Sequence, residues 1–122
     1  MSAFNWINVE TTCPKCGATT SLRCETHAAS DYDGDSRGRF HDRDYDLGEQ
    51  MWWWGKDDAR YPEWKVEGRP GITEDDYDEE ACLSKCGSCG ADVCVVLAFR
   101  AATPERLLKV VLEEEWPEGY LK

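Results

Sequence analysis

Histidine, proline and basic residues are all scarce in this chain, and it has no long apolar run. Its 122 residues include two histidines, five prolines and 14 Lys or Arg against 25 Asp or Glu, for a formal net charge of -11. No run approaches the roughly 18 apolar residues of a membrane span, so a helical membrane protein is excluded and a soluble one is expected. The shortage of positive charge argues against a DNA or RNA partner, because such binding rests on neutralising phosphates with Lys and Arg. His27 and His41 are the only imidazoles and neither sits in a recognisable catalytic context, which leaves a thiol hydrolase little to stand on. The opening residues Met1-Ser2-Ala3-Phe4-Asn5-Trp6 have neither the basic nor the apolar region of a secretory signal. The expected location is therefore the cytoplasm, where thiols stay reduced.

What the chain does have is cysteine. Seven cysteines cannot pair completely within one chain, and in a reducing compartment they read better as metal ligands and buried thiols than as disulfides. Four of them fall into two copies of one motif, Cys13-Pro14-Lys15-Cys16-Gly17 and Cys86-Gly87-Ser88-Cys89-Gly90, each followed by Ala. Each copy is flanked by short β-type segments, which predicts two hairpins over residues 8–25 and 81–100 with the cysteines at their turns. Two such turns facing each other supply four thiolates to one tetrahedral ion, with backbone N–H groups of each turn free to point at the sulfurs. A site closed by four protein ligands has no position for water or substrate, so the ion is expected to stabilise and the protein is not expected to be an enzyme. The 69 residues between Cys16 and Cys86 do not forbid the site. Quadrupling a loop costs only about 1.2 kcal/mol on the logarithmic rule, against apparent zinc binding energies on the order of 10 kcal/mol.

The paired Cys-x2-Cys-Gly turns resemble those of the zinc-ribbon and rubredoxin-like group. That resemblance implies structural zinc or, as in rubredoxins, a redox-active iron, with zinc the commoner occupant of such structural sites. An iron protein would carry electrons one at a time; a nucleic-acid-binding zinc ribbon is a third reading that the acidic balance disfavours. The chain departs from the group in its long insertion and in having Gly87 where rubredoxins have Pro.

The insertion, residues 26–80, carries the acidic excess: residues 25–80 hold 18 Asp or Glu against seven Lys or Arg, and the rest of the chain holds seven of each. Within it, Asp31 to Gly38 reads as an exposed, charged loop. Asp31, Asp33, Asp35 and Asp42 fit the count of a calcium loop, but Gly34 and Ser36 break the motif. Residues 40–47 and 50–54 around Gly48-Glu49 predict an inserted aromatic β-hairpin with Met51 and Trp53 on one face and Trp52 and Trp54 on the other. Residues 55–71 read as an irregular connection, and Thr73 as the cap of a short acidic helix over 74–80. Trp52, Trp53, Trp54 and Trp64 are candidate partner-binding residues, since an exposed Trp in an acidic surround suits a basic protein partner. Cys82 and Cys94 flank the second turn at distances that would set them opposite each other. Two readings follow: with Cys24 and His27 they form a second metal site, or the three cysteines are buried free thiols. Finally, Thr103-Pro104-Glu105 followed by Leu107, Leu108, Val111 and Leu112 at helical spacing predicts a C-terminal α-helix over about 104–115. The expectation is thus a single, mainly β, zinc-ribbon-like domain spanning residues 1–122, built from two knuckle hairpins, an inserted aromatic hairpin and one helix.

Overall fold

Val93 to Phe99 is the most continuously apolar stretch in the chain, and it forms the strand on which the rest is organised. In the computed structural model, which describes residues 3–64 and 77–120, the strands are β1 (Asn5–Thr12), β2 (Thr19–Thr26), β3 (Asp31–Asp35), β4 (Gly38–Phe40), β5 (Asp44–Asp46), β6 (Tyr77–Lys85), β7 (Asp92–Arg100) and β8 (Thr103–Leu112). Six of them make one sheet in the order β5-β1-β2-β6-β7-β8, and β3 and β4 pair separately. All seven residues from Val93 to Phe99 are buried, which an inner strand covered on both faces requires. On one face Val93, Val95, Leu97 and Phe99 join Ile7, Val9, Leu22 and Cys24 in the main core, while on the other Cys94 and Val96 pack with Ala81 beneath Trp116 and Tyr120.

The insertion lies over the main face. Phe40, Met51, Trp53, Trp54 and Trp64 are all buried there, with Phe40 edge-on to Trp54 at 4.7 Å and Trp53 edge-on to Trp54 at 4.9 Å. Aromatic pairs in such geometry add about 1 kcal/mol each beyond the area they bury.

The C-terminal helix is not present. Residues 103–112 are strand β8 at the sheet edge, followed by a 3-10 turn over Glu113–Glu115. Two causes hide this strand in the sequence. The reversal between β7 and β8 is made by Ala101 and Ala102 with φ of 48° and 66°, a left-handed pair that usually calls for Asn or Gly. In addition, register shifts between Val96 and Leu97 and between Ala98 and Phe99 leave Leu108 and Glu105 as extra residues on β8. The bulges space the inward positions Pro104, Leu107, Val110 and Leu112 by three, three and two, which imitates a helical period. Pro104 is tolerated because β8 has a neighbour on one side only.

The aromatic hairpin over 40–47 and 50–54 is also replaced. β1 captures residues 44–46 in parallel pairing, with Trp6 opposite Asp44 and Asn8 opposite Asp46. Asn5 helps fix this: its side-chain oxygen accepts the Arg43 N–H at 3.0 Å, and its amide donates to the Ala29 carbonyl at 3.0 Å. The N–H groups of Gly48 and Met51 donate instead to the carbonyls of Pro104 and Ala102, at 2.6 and 2.9 Å, tying the segment to the start of β8. Outside a strand the alternation rule lapses, so Trp53 and Trp54 are buried side by side. The inserted hairpin that does form is β3–β4, within the stretch expected to be an exposed loop. Residues 77–80, expected to be helical, begin β6; Thr73, residues 74–76 and the 65–71 part of the irregular connection lie outside the described residues. Among the described residues no helix is long and apolar enough to cross a membrane.

Candidate metal centre

The β1–β2 and β6–β7 turns have the same backbone. In each, the first cysteine's N–H donates to the carbonyl of the Ala five residues on (Cys13 to Ala18, Cys86 to Ala91, both 2.9 Å). The Gly N–H donates back to the first cysteine's carbonyl, Gly17 at 3.0 Å and Gly90 at 2.9 Å. Gly17 and Gly90 have φ of 75° and 74°, a left-handed position that explains why Gly follows the second cysteine in both copies. The turn also aims a main-chain N–H at sulfur: Lys15 donates to Cys13 Sγ and Ser88 to Cys86 Sγ, each at 3.4 Å.

Pairing of β2 with β6 lays the two hairpins side by side, and the four sulfurs meet at the shared end. Cys13 Sγ lies 3.8 Å from Cys89 Sγ, Cys16 Sγ lies 3.8 Å from Cys86 Sγ, and all four ligand atoms are within 4.8 Å of one another. A tetrahedron with metal–sulfur bonds of ~2.3 Å has edges of about 3.8 Å, which the Cys13–Cys89 and Cys16–Cys86 pairs match, with all four sulfurs close enough to share one ion. A disulfide would need about 2.05 Å, and all seven cysteines are free. Cys13 and Cys86 are buried, Cys16 and Cys89 exposed, so the centre has one covered and one outward pair.

Electrostatics agree with a cation at this point. The N–H groups of Cys16 and Lys15 bring the Cys13 thiol down to about 6 despite its burial, and those of Cys89 and Ser88 lower Cys86. At Cys16 the Ala18 N–H also favours the thiolate, but burial and the sulfurs of Cys13, Cys89 and Cys86 outweigh it and push the group up to about 11. Four thiolates this close repel one another as they ionise; a divalent ion removes that conflict. The donor set fits zinc or iron and fills a tetrahedral sphere without solvent.

The other sequence candidates are dispersed. Cys82 pairs with Val95 and Cys94 with Leu83, one position off the expected register, so the two thiols point to opposite faces of the sheet. Cys24 is buried, and burial pushes its thiol up to about 12; His27 is exposed, with Nδ1 2.9 Å from the Ala3 carbonyl. Among the described residues the four-cysteine cluster is the one group of potential metal ligands with converging donor atoms. Asp31 and Asp35 instead cap their own turn, accepting the N–H groups of Asp33 and Arg37. Trp53, Trp54 and Trp64 are in the core, and Trp52 is half-buried with the Arg43 guanidinium 3.5 Å from its ring centroid.

A buried carboxylate on β6 escaped sequence reasoning. Glu80 accepts the Thr26 hydroxyl at 2.7 Å and the His27 N–H at 3.1 Å, joining the two hairpins at the end away from the cysteines. It lies within a run of acidic residues that otherwise reads as solvated, and only the β2–β6 pairing shows its role. No protein-family model matches the chain, and neither the curated proteins nor the solved structures yield a match to it.

Proposed function

We propose that this protein is a non-catalytic, structural-zinc module whose tetrathiolate centre clamps two hairpins and whose acidic side meets a basic protein partner. The observation that carries the metal part is the convergence of Cys13, Cys16, Cys86 and Cys89, two sulfur pairs at 3.8 Å and all four within 4.8 Å, on two turns with the same hydrogen-bond pattern. Zinc is preferred to iron because closed four-cysteine sites in this spacing are characteristically structural zinc sites. Four protein ligands complete the coordination, so neither a zinc-bound hydroxide nor a polarised substrate enters the reading. The partner part draws on the 18 acidic residues against seven basic ones in residues 25–80. With Trp53, Trp54 and Trp64 committed to the core, the contact surface is the charged exterior of the insertion and the edge of Trp52 rather than a cluster of tryptophans. A thiolate centre of this kind suits a reducing compartment such as the cytoplasm.

Elemental analysis of protein purified without chelator tests the metal. One equivalent of zinc and a colourless solution are expected; a red solution absorbing in the visible, with one equivalent of iron, would establish the electron-transfer reading instead. Charge reversal of exposed carboxylates in the insertion is expected to abolish capture of basic partners, and unchanged capture refutes the partner assignment.

A further inference from the structure

A cleft of about 520 Å³ opens where the residues leading into β1 meet the β3–β4 hairpin, lined chiefly by Phe4, Glu25, His27, Tyr32, His41 and Asp42. The residues come from four separate parts of the chain, and both of its histidines are among them. The rings stand in two pairs: Phe4 is edge-on to His27 at 6.5 Å, and Tyr32 lies tilted against His41 at 5.2 Å. Two carboxylates, Glu25 on β2 and Asp42 after β4, complete the lining.

Neither carboxylate takes a hydrogen bond or an ion pair from a described residue. Of the nearby guanidinium groups, Arg23 grips Asp44 through two bonds of 2.8 and 2.9 Å while also feeling the charge of Asp42, and Arg39 is spent on the backbone carbonyls of His41 and Asp42 at 3.0 and 3.1 Å. Asp42 is held at φ 52° by its N–H bond to the Phe4 carbonyl at 2.6 Å, so its position is imposed by the surrounding backbone rather than by local preference. Aromatic faces attract a cation through the ring quadrupole and carboxylates attract it directly, and the combination selects positive over neutral guests.

We propose that this cleft receives the arginine side chain of a basic protein segment, the planar guanidinium lying against the rings with Glu25 and Asp42 as its counter-charges. The volume exceeds one side chain, so residues flanking the arginine enter with it. The assignment rests on the reading that the acidic side of the molecule meets a basic partner, and it names the point at which that partner is gripped.

The test is an NMR titration of the zinc-loaded full chain with capped pentapeptides Gly-Gly-X-Gly-Gly in which X is Arg, Lys or Gln. Expected are amide shifts concentrated at Phe4, His27, Tyr32 and His41 with the Arg peptide, smaller ones with Lys and none with Gln. Tyr32→Ala and Asp42→Asn should each weaken Arg-peptide binding by roughly five- to tenfold, the effect of losing one cation contact, while Glu10→Gln leaves it unchanged. Tyr32 is 54% exposed and Asn accepts a left-handed φ, so both variants should keep the dispersed spectrum of the parent. Shifts that map to other acidic surfaces, or that survive both substitutions, overturn the cleft and leave the basic-partner reading standing. No shift anywhere with any peptide overturns both.

Discussion

The seven cysteines differ in what their sulfur atoms can reach. Cys13, Cys16, Cys86 and Cys89 reach one another, whereas Cys24, Cys82 and Cys94 are sealed in apolar packing on two sides of the sheet. Burial holds Cys24 up at about 12, so almost none of it is thiolate at neutral pH. Alkylation of native protein followed by mass spectrometry is therefore expected to add no labels to the metal-loaded form and up to four after chelation; labelling of Cys24 in the folded chain would contradict the packing. At the turns, Gly17→Ala should cost about 1 kcal/mol, because its φ of 75° is left-handed although space for a methyl group is open. Gly34→Ala should cost more, since a Cβ there would overlap the Gly38 carbonyl on the paired strand. Urea unfolding with bound metal measures both. The Asp58–Arg60 pair gives a pH-dependent term. Arg60 holds the Asp58 carboxyl at about 2, below the ordinary value of about 3.9, so its stabilisation is complete above the latter and is lost as pH falls through the former. The stability difference between the parent and Asp58→Asn should accordingly shrink on going from pH 5 towards about 2.

Among the elements, the two cysteine hairpins were legible in the sequence because their turns are specified locally: a ligand, a left-handed Gly and a repeated spacing all lie within six residues. β8 was not. Its turn lacks the Asn or Gly that would announce it, and its bulges give it the spacing of a helix, so Thr103-Pro104-Glu105 read as a helix start when it is the first stretch of an edge strand. The same turn offers a gain in stability. Replacing Ala101 by Asn or Gly should raise the free energy of unfolding by roughly 0.5–1 kcal/mol by relieving its φ of 48°. Ala102→Gly should gain less, because the Ala102 methyl is part of the main core. Thermal unfolding of the three variants separates these outcomes. The path of residues 42–54 was hidden for a different reason. Its partners, Phe4 and Asn5 on one side and Pro104 and Ala102 on the other, are far apart in sequence, and no local pattern marks them.

For the whole molecule, the hairpin signals and the paired Cys-x2-Cys turns pointed to a mainly β fold that brings four cysteines together, while the fate of the tryptophans depended on a core assembled from distant segments. The net charge of -11 makes the folded state repel itself. Raising the salt concentration from about 0.01 to 0.5 M shortens the screening length severalfold and should raise the unfolding temperature of metal-loaded protein. A fall would mean that attractive pairs such as Arg23–Asp44 dominate instead. Metal removal should act at the contact between hairpins, where Glu25 pairs with Leu83 across β2 and β6 and Ser84 and Glu80 add side-chain bonds. Mutation of Cys16 or Cys89 to Ser, or chelation, is expected to lower the unfolding temperature by more than ten degrees, since binding energy of this size is folding energy. Calorimetry with and without zinc measures it.

The slender contact between β2 and β6 also bears on the order of events during folding. Each cysteine hairpin closes over a short loop and can form early, but the two meet only after the long insertion has brought its ends together, a non-local step that slows folding. An ion held first by one Cys-x2-Cys turn would wait for the other and shorten the search once they touch. Zinc should then accelerate the late phase of refolding as well as stabilise its product, and the half-formed site on either hairpin is the stage at which the chain is most open to losing its metal.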